Sequence, residues 1–190
     1  MRTVKRRFRS MQRFVFDNQK TESKIDYFYR YPSPIGSITM SSNGTALIGL
    51  WFDGQKYFAQ TLSEPYEEKL LPVFEDTIKW LDIYFRGAVP DFTPELSVHS
   101  TPFRKAVWDI LLTILYGQTM TYGEIAANLA HQMGKKKMSA QAVGGALGHN
   151  PISIIIPCHR VVGADGSLTG YAGGIDRKRF LLELEGNTIF

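Results

Sequence analysis

The apolar residues of this chain change period once, near residue 71, and that change limits it to a sheet-bearing half followed by a helical half. Residues 27–31, 35–40 and 45–52 are β-prone runs. The last two flank Asn43-Gly44, a pair favoured where both turn positions need positive φ, so a hairpin is predicted there. Beyond residue 71, Phe74, Ile78, Leu81 and Phe85 recur at helical spacing, and Gly87 ends the pattern. Residues 88–100, with Pro90 and Pro94, read as a linker. Nothing in 25–100 carries obvious chemistry, and this half reads as a support.

The second half is signposted by caps. Thr101-Pro102 opens one helix, with Phe103, Val107, Ile110, Leu111 and Ile114 inward and Gly117 as its close. Thr121-Tyr122-Gly123-Glu124 is a capping box and starts a second helix, which ends near Gly134. Ser139 caps a third that runs to Asn150 before Pro151. A close helix pair fits a helix-turn-helix. A last helix spans about residues 176–185, placing Glu185 at the negative end of its own helix dipole. The fold class is therefore α+β or α/β. A small N-terminal domain, 25–98, holds an antiparallel sheet and a helix. A mostly helical C-terminal domain, 99–190, holds the helix-turn-helix and a short strand leading to the cysteine. Residues 1–24 form a separate basic arm.

Charge follows the same division. Residues 1–24 carry 8 basic and 2 acidic side chains, 25–99 carry 5 and 10, and 100–190 carry 9 and 6. One half alone is suited to meet a polyanion, although a solvated surface with a basic tail gives the same figures. The arm is read as disordered; a targeting segment, or a true start at Met11, fits it too. No apolar run reaches membrane-spanning length, so no membrane partner is expected. A single cysteine forms no internal disulfide, and with four dispersed histidines it offers no structural zinc spacing, so no metal is expected.

Two features suggest chemistry. In the third helix Ala140, Val143 and Leu147 would face the core, while Gln141, Gly144, Gly145 and Gly148 share another face. Each interior glycine costs a helix about 1 kcal/mol relative to alanine. The ridge serves either tight helix packing or entry into a DNA groove, and the Lys135-Lys136-Lys137 run is either a solvated turn or a phosphate contact. The second feature is the β-branched run 152–156 between Pro151 and Pro157, read as short, extended and buried. It delivers Cys158 with His159 and Arg160 beside it. A thiol is only a few per cent thiolate at neutral pH, and positive charge nearby raises that fraction. Adjacent strand residues face opposite ways, so His159 would act on Cys158 through a turn or a water.

Pro157-Cys158-His159-Arg160-Val161 resembles the O6-alkylguanine-DNA alkyltransferases (methylated-DNA–protein-cysteine methyltransferases). Asn150-Pro151, Thr169-Gly170-Tyr171-Ala172-Gly173-Gly174 and Ala142-Val143-Gly144 match in order and spacing, and Ser33-Pro34-Ile35-Gly36 and Gly49-Leu50-Trp51-Phe52 resemble the family's N-terminal domain. The resemblance covers roughly residues 27–186. It implies DNA repair by direct reversal on double-stranded DNA entered from the minor groove, with the damaged guanine flipped into a pocket. Cys158 would be the nucleophile, and His159 would take its proton through a water. Glu185 would orient His159, Asn150 would order the site, and Tyr122 would aid base rotation and donate to the leaving guanine. Gln141, Ala142, Gly144, Gly145, Lys137 and Arg160 would contact DNA; Tyr171, Ala172 and main-chain groups near Val161 would hold the base. The alkyl group stays on Cys158, so no cofactor is needed and each molecule, a monomer, acts once, in the cytoplasm, or the nucleus of a eukaryote. O4-alkylthymine is left open as a second substrate.

The sequence departs from the family pattern in two places. Gln141 stands where an arginine commonly fills the gap left by the flipped base, and Leu184 stands where histidine often precedes the glutamate. The competing readings are a non-catalytic binder of alkylated DNA with the same fold, a helix-turn-helix regulator, and a thiol hydrolase. A binder would lack the cysteine, a regulator would need an effector or dimerisation element, and a hydrolase would turn over.

Overall fold

The structure is a computed structural model and describes residues 25–187. The basic arm 1–24 lies outside the described residues. A sheet of order β3-β2-β1-β4 is built from β1 (Asp26–Ser33), β2 (Gly36–Ser42), β3 (Leu47–Phe52) and β4 (Tyr66–Glu68). β1 and β2 pair antiparallel from Tyr27 opposite Ser42 to Ser33 opposite Gly36, and β2 pairs antiparallel with β3. β4 lies parallel to β1, so the sheet is mixed rather than wholly antiparallel. The β2–β3 connection also departs from the two-residue turn the sequence predicts. Only Gly44 takes positive φ, at 104°. Asn43 uses its side chain instead, Oδ1 accepting from the backbone N–H of Thr45 and Ala46.

α1 (Pro72–Phe85) packs near the sheet with Val73, Phe74, Thr77, Trp80, Leu81 and Tyr84 buried. The predicted stripe is rotated: Ile78 and Phe85 are only partly covered, and Trp80 and Tyr84 point inward, their rings stacked 5.3 Å apart. Tyr84 can be buried because its hydroxyl has partners inside the protein. The linker after α1 has its own anchors in Leu96 and Val98, which are buried, and Leu47 exchanges backbone hydrogen bonds with it through Glu95 and Ser97.

α2 (Pro102–Leu111) starts at the Thr101 cap and ends six residues before Gly117; turns fill the interval. α3 (Tyr122–Gln132) carries the full capping box, and α4 (Ala140–Gly148) starts on Ser139, whose side chain accepts from Ala142 N. Together they are the helix-turn-helix. The core face of α4 is Val143, Ala146 and Leu147; Ala140, expected inward, is exposed. Trp108 of α2 fixes the helix by donating from its indole nitrogen to Ala146 O at 3.0 Å. α5 (Ile175–Leu184) closes the molecule and Glu185 is its C-cap.

Two backbone junctions set the position of the cysteine. Leu50 of β3 donates to Pro151 O and accepts from Ser153 N, each at 2.8 Å, so the sheet edge continues into the second half. β5 (Met120–Thr121) pairs parallel with β6 (Val161–Val162), tying the start of α3 to the residues just past Cys158.

Gly49 on β3 has no room for a side chain: a Cβ there would sit 1.8 Å from the ring of the fully buried Trp51. Gly49→Ala is expected to cost about 2 kcal/mol by overpacking. That lowers the thermal midpoint by roughly 4–8 °C for a chain of this size. A midpoint unchanged in a melting experiment would mean that Trp51 has another conformation open to it.

Candidate active site

The run 152–156 is buried as expected but is not a strand. Ile152 makes an isolated bridge to Leu50, and the chain then turns, with Ile154 at φ 68° and Ile155 N bonded to Ser153 O at 2.8 Å. Positive φ is costly for a β-branched residue, on the order of 1–3 kcal/mol, and persists where surrounding packing over-determines it. Here Ile152, Ile154, Ile155 and Ile156 are all buried. Asn150 holds the two ends of the turn together: Oδ1 accepts from Ile152 N, while Nδ2 donates to Ile156 O at 2.8 Å and to Cys158 Sγ at 3.2 Å. Pro157 then leads into a 3-10 turn, Cys158–Arg160. That turn, rather than a strand, carries Cys158 and His159, both buried.

Burial pushes the Cys158 thiol above its ordinary pKa, against the Asn150 hydrogen bond and the positive charge of Lys178. Burial also holds His159 below the usual imidazole range, against the pull of Glu185. At rest the pair is therefore a neutral thiol and a neutral imidazole, and proximity to basic residues alone does not make the thiolate. The tautomer of His159 follows from its contacts. Nε2 lies 2.8 Å from Glu185 Oε1, an atom that can only accept when ionised, so Nε2 carries the proton. Nδ1 is left as a buried lone pair without a protein partner. It is the atom able to take a proton from Cys158, directly or through one water.

Glu185 is enclosed by donors. Oε1 accepts from His159, from Arg160 Nη2 at 3.0 Å and from the hydroxyl of Tyr84 at 2.7 Å. Oε2 accepts from Arg160 Nε at 2.8 Å and from Gly117 N at 3.2 Å. Burial by itself would raise this carboxyl, but the bonds from His159 and Arg160 outweigh it and hold the pKa at about 2. Gly117 stands at φ 75°, and a Cβ there would lie 2.9 Å from Glu185 O, so the loop can close on the relay only without a side chain.

This arrangement corrects the expectation for Arg160. Its Nε and Nη2 are bonded to Glu185 and its Nη1 to Ile114 O, with the side chain 12% exposed, so it braces the relay and turns its guanidinium into the protein. It also corrects the reading of 25–100 as chemically silent, since Tyr84 comes from α1. The signal for Tyr84 in the sequence was weak: it lies one position off the apolar stripe read from Phe74 to Phe85, and a buried phenol shows only in its partner.

Tyr122, Tyr171 and Lys178 lie near enough to Cys158 that a thiolate there would raise the pKa of each. Tyr122 donates to Thr169 O at 2.8 Å, so a hydrogen bond that it donates to a ligand would replace that one. The hydroxyl of Tyr171 is buried and unpartnered. Lys178, absent from the sequence reading, is fully buried, bonds to the carbonyls of Val161 and Thr169, and is pushed down by burial to about 8. It thereby occupies the Val161 carbonyl, one of the main-chain groups expected to hold a ligand.

Beside these residues runs a cleft of about 250 Å³ lined by Gly144, Gly145, Gly148, Gly170, Tyr171 and Ala172, with Lys56, Tyr57 and His149 at its wall. The glycine ridge of α4 is not a helix-packing surface. A Cβ added at Gly145 meets nothing within 4 Å, and at Gly144 only the Tyr122 ring at 3.7 Å. Gln141 and Ala142 are exposed on the first turn of α4, and Lys137 is exposed just before it. Ridge, cleft and lysines thus lie along the α4 side of the site. Among the described residues no group of three or more His, Cys, Asp or Glu is placed to hold a metal ion.

Family models match along most of the chain. One described as "6-O-methylguanine DNA methyltransferase, ribonuclease-like domain" matches residues 27–98, and one described as "6-O-methylguanine DNA methyltransferase, DNA binding domain" matches 102–187. The methylated-DNA–protein-cysteine methyltransferase of Mycobacterium tuberculosis is 47% identical over 156 residues, covering 80% of this chain and 88% of its own. The protein of that name from Haemophilus influenzae is 41% identical over 160 residues, covering 84% and 86%. A crystal structure of the Mycobacterium tuberculosis OGT in complex with DNA superposes with a TM-score of 0.72 at 44% identity, over 84% of this chain and 92% of that one.

The Glu185 carboxyl is depressed in the folded protein, so the stability it contributes is fully present above its unfolded pKa, about 4.3, and is lost as pH falls toward about 2. Glu185→Gln leaves Arg160 without its anion and is expected to cost about 3 kcal/mol at pH 7. The difference between the two proteins in denaturant titrations should shrink between pH 4 and pH 2. A constant difference would locate the loss in packing rather than in charge.

Proposed function

The chain belongs to the 6-O-methylguanine DNA methyltransferase family, and we propose that it repairs DNA by moving the alkyl group of O6-alkylguanine onto its own Cys158. The observation that carries this reading is a single buried cysteine, bonded to Asn150, whose neighbouring imidazole presents a bare Nδ1. In the reaction Cys158 Sγ forms a bond to the alkyl carbon while the carbon–O6 bond breaks, and the electron pair of that bond leaves with guanine. The thiol proton passes to His159 Nδ1, and the departing base takes up a proton. Tyr122, exchanging its bond to Thr169, would donate it, and solvent would carry the proton held by His159 back to Tyr122. The product is a thioether, with no group in the site to cleave it, so each molecule reacts once and needs no cofactor.

Two surfaces would bring the base to the sulfur. The glycine ridge gives α4 a low profile suited to the minor groove, with Lys137 near phosphate and Gln141 facing the gap left by the flipped base. Tyr171 and Ala172 would close over the base from the loop that follows Thr169. Lys178 ties that loop to Val161, which keeps the base pocket and the cysteine turn in one frame. The reaction requires a free thiol, which supports a reducing compartment, the cytoplasm or the nucleus of a eukaryote, as its setting.

Incubation with a duplex carrying one O6-methylguanine, followed by peptide mass spectrometry, is expected to show the Cys158 peptide heavier by one methylene, saturating at one equivalent. Cys158→Ala should bind the duplex and leave its methyl group in place. Methyl loss with that variant would overturn the assignment of the nucleophile. Gln141→Arg is expected to tighten DNA binding at physiological salt and to steepen the salt dependence by about one counterion. An unchanged affinity and slope would remove position 141 from the DNA face.

A further inference from the structure

The relay of His159 and Glu185 is completed by a residue from the other half of the molecule. Tyr84, on α1, is fully buried; its hydroxyl lies 2.7 Å from Glu185 Oε1 and 3.3 Å from His159 Nε2. We propose that Tyr84 is a positioning residue for alkyl transfer: its hydroxyl fixes the Glu185 carboxylate and thereby the His159 tautomer that leaves Nδ1 free for the Cys158 proton. The proposal rests on the reading of the site as an alkyltransferase.

The direction of each bond follows from what the atoms can do. Glu185 is ionised and only accepts, so the Tyr84 proton points at Oε1. The lone pairs of the same hydroxyl oxygen then face the proton on His159 Nε2. Burial and the Glu185 charge both push the ionisation of Tyr84 well above its ordinary value, so the hydroxyl remains a donor throughout the working range. Its ring has little freedom to leave: it is stacked on Trp80 and meets the rings of Phe85, Tyr116 and His159 edge-on at 5.5, 6.0 and 6.4 Å. The ionisable groups around the carboxylate are Tyr84 from α1, Tyr116 from the turns after α2, His159 and Arg160 from the 3-10 turn, and Tyr171 from the loop before α5, while Lys178 of α5 adds positive charge near His159.

Each donor withdraws charge from the carboxylate. Without the Tyr84 hydroxyl, Oε1 becomes a stronger acceptor toward His159, and the imidazole holds a second proton more tightly. A protonated His159 has no lone pair on Nδ1 and cannot accept from the thiol. A satisfied core tyrosine with no part in the reaction would affect stability and leave the pH dependence alone.

The test is the pH dependence of single-turnover methyl transfer from an O6-methylguanine duplex to the full-length protein. Wild type, Tyr84→Phe, Glu185→Gln and the double variant are compared, and Cys158 is titrated with iodoacetamide in parallel without DNA. Tyr84→Phe is expected to raise the acid-side midpoint by about half a unit to one unit, from the loss of one hydrogen bond to a charged group. In the Glu185→Gln background the same substitution should produce no further shift. Coincident profiles for wild type and Tyr84→Phe, or equal shifts in both backgrounds, would overturn the role of Tyr84. Imidazole nitrogen NMR of the wild type needs no variant to fold: a proton on Nε2 and none on Nδ1 is expected, and the opposite tautomer would overturn the proposal. A wild type that leaves the methyl group on DNA would sink the alkyltransferase reading, and the iodoacetamide profiles would still decide whether Tyr84 acts on the proton acceptor.

Discussion

The buried carboxylate of Glu185 is the constraint around which the site is assembled. An ion taken out of water costs several kcal/mol unless its lone pairs are satisfied. This one also sits at the C-terminal cap of α5, where the helix dipole disfavours negative charge. It is satisfied by donors from three other segments: Tyr84 of α1, Gly117 of the turns after α2, and His159 with Arg160 on the 3-10 turn. None of these segments can shift without leaving a charge or a lone pair unpaired. The same bonds that stabilise the ion therefore align the imidazole, and stability and reactivity share one set of contacts.

The cysteine is held under a different balance. Burial opposes charge on both the thiol and the imidazole, while Asn150 and Lys178 favour the thiolate. The outcome is a neutral pair poised for proton transfer rather than a standing ion pair. The left-handed Ile154 belongs to the same economy of geometry. A straight strand through 152–156 would have put Cys158 and His159 on opposite faces, whereas the turn clamped by Asn150 presents both within one short 3-10 segment.

The N-terminal half is more than a support. It supplies Tyr84 to the relay, the edge of β3 to residues 151–153, and Lys56 and Tyr57 to the wall of the cleft. The helical half supplies the ridge, whose glycines leave open space instead of a packed interface. The two interior glycines of α4, Gly144 and Gly145, unfavourable for helix stability, are then accounted for by what the surface must approach.

Much of this was legible in the order of residues. Local signals act over three or four positions and need no partner, so the Thr101 and Ser139 caps, the Thr121–Glu124 capping box, and Gly87 and Gly134 at helix ends all stand where the sequence puts them. The motif around Cys158 pointed to His159, Glu185 and Asn150, and the structure bonds Asn150 to Cys158 and Glu185 to His159. The errors fall where a distant contact decides. Ala140 is exposed because Ala146 makes the contact with Trp108; the β-branched run turns because Asn150 and Leu50 seize its ends; Arg160 faces inward because Glu185 lies across the fold. Tyr84 and Lys178 were invisible for the same reason, since 101 residues separate Tyr84 from Glu185 and Lys178 bonds only to main-chain carbonyls. The sequence by itself determined the candidate nucleophile with its immediate neighbours and where the three capped helices, α2, α3 and α4, begin. Only the tertiary structure decided which polar atoms were desolvated together, and burial, through the cost of leaving any of them unpaired, decides protonation and partnership.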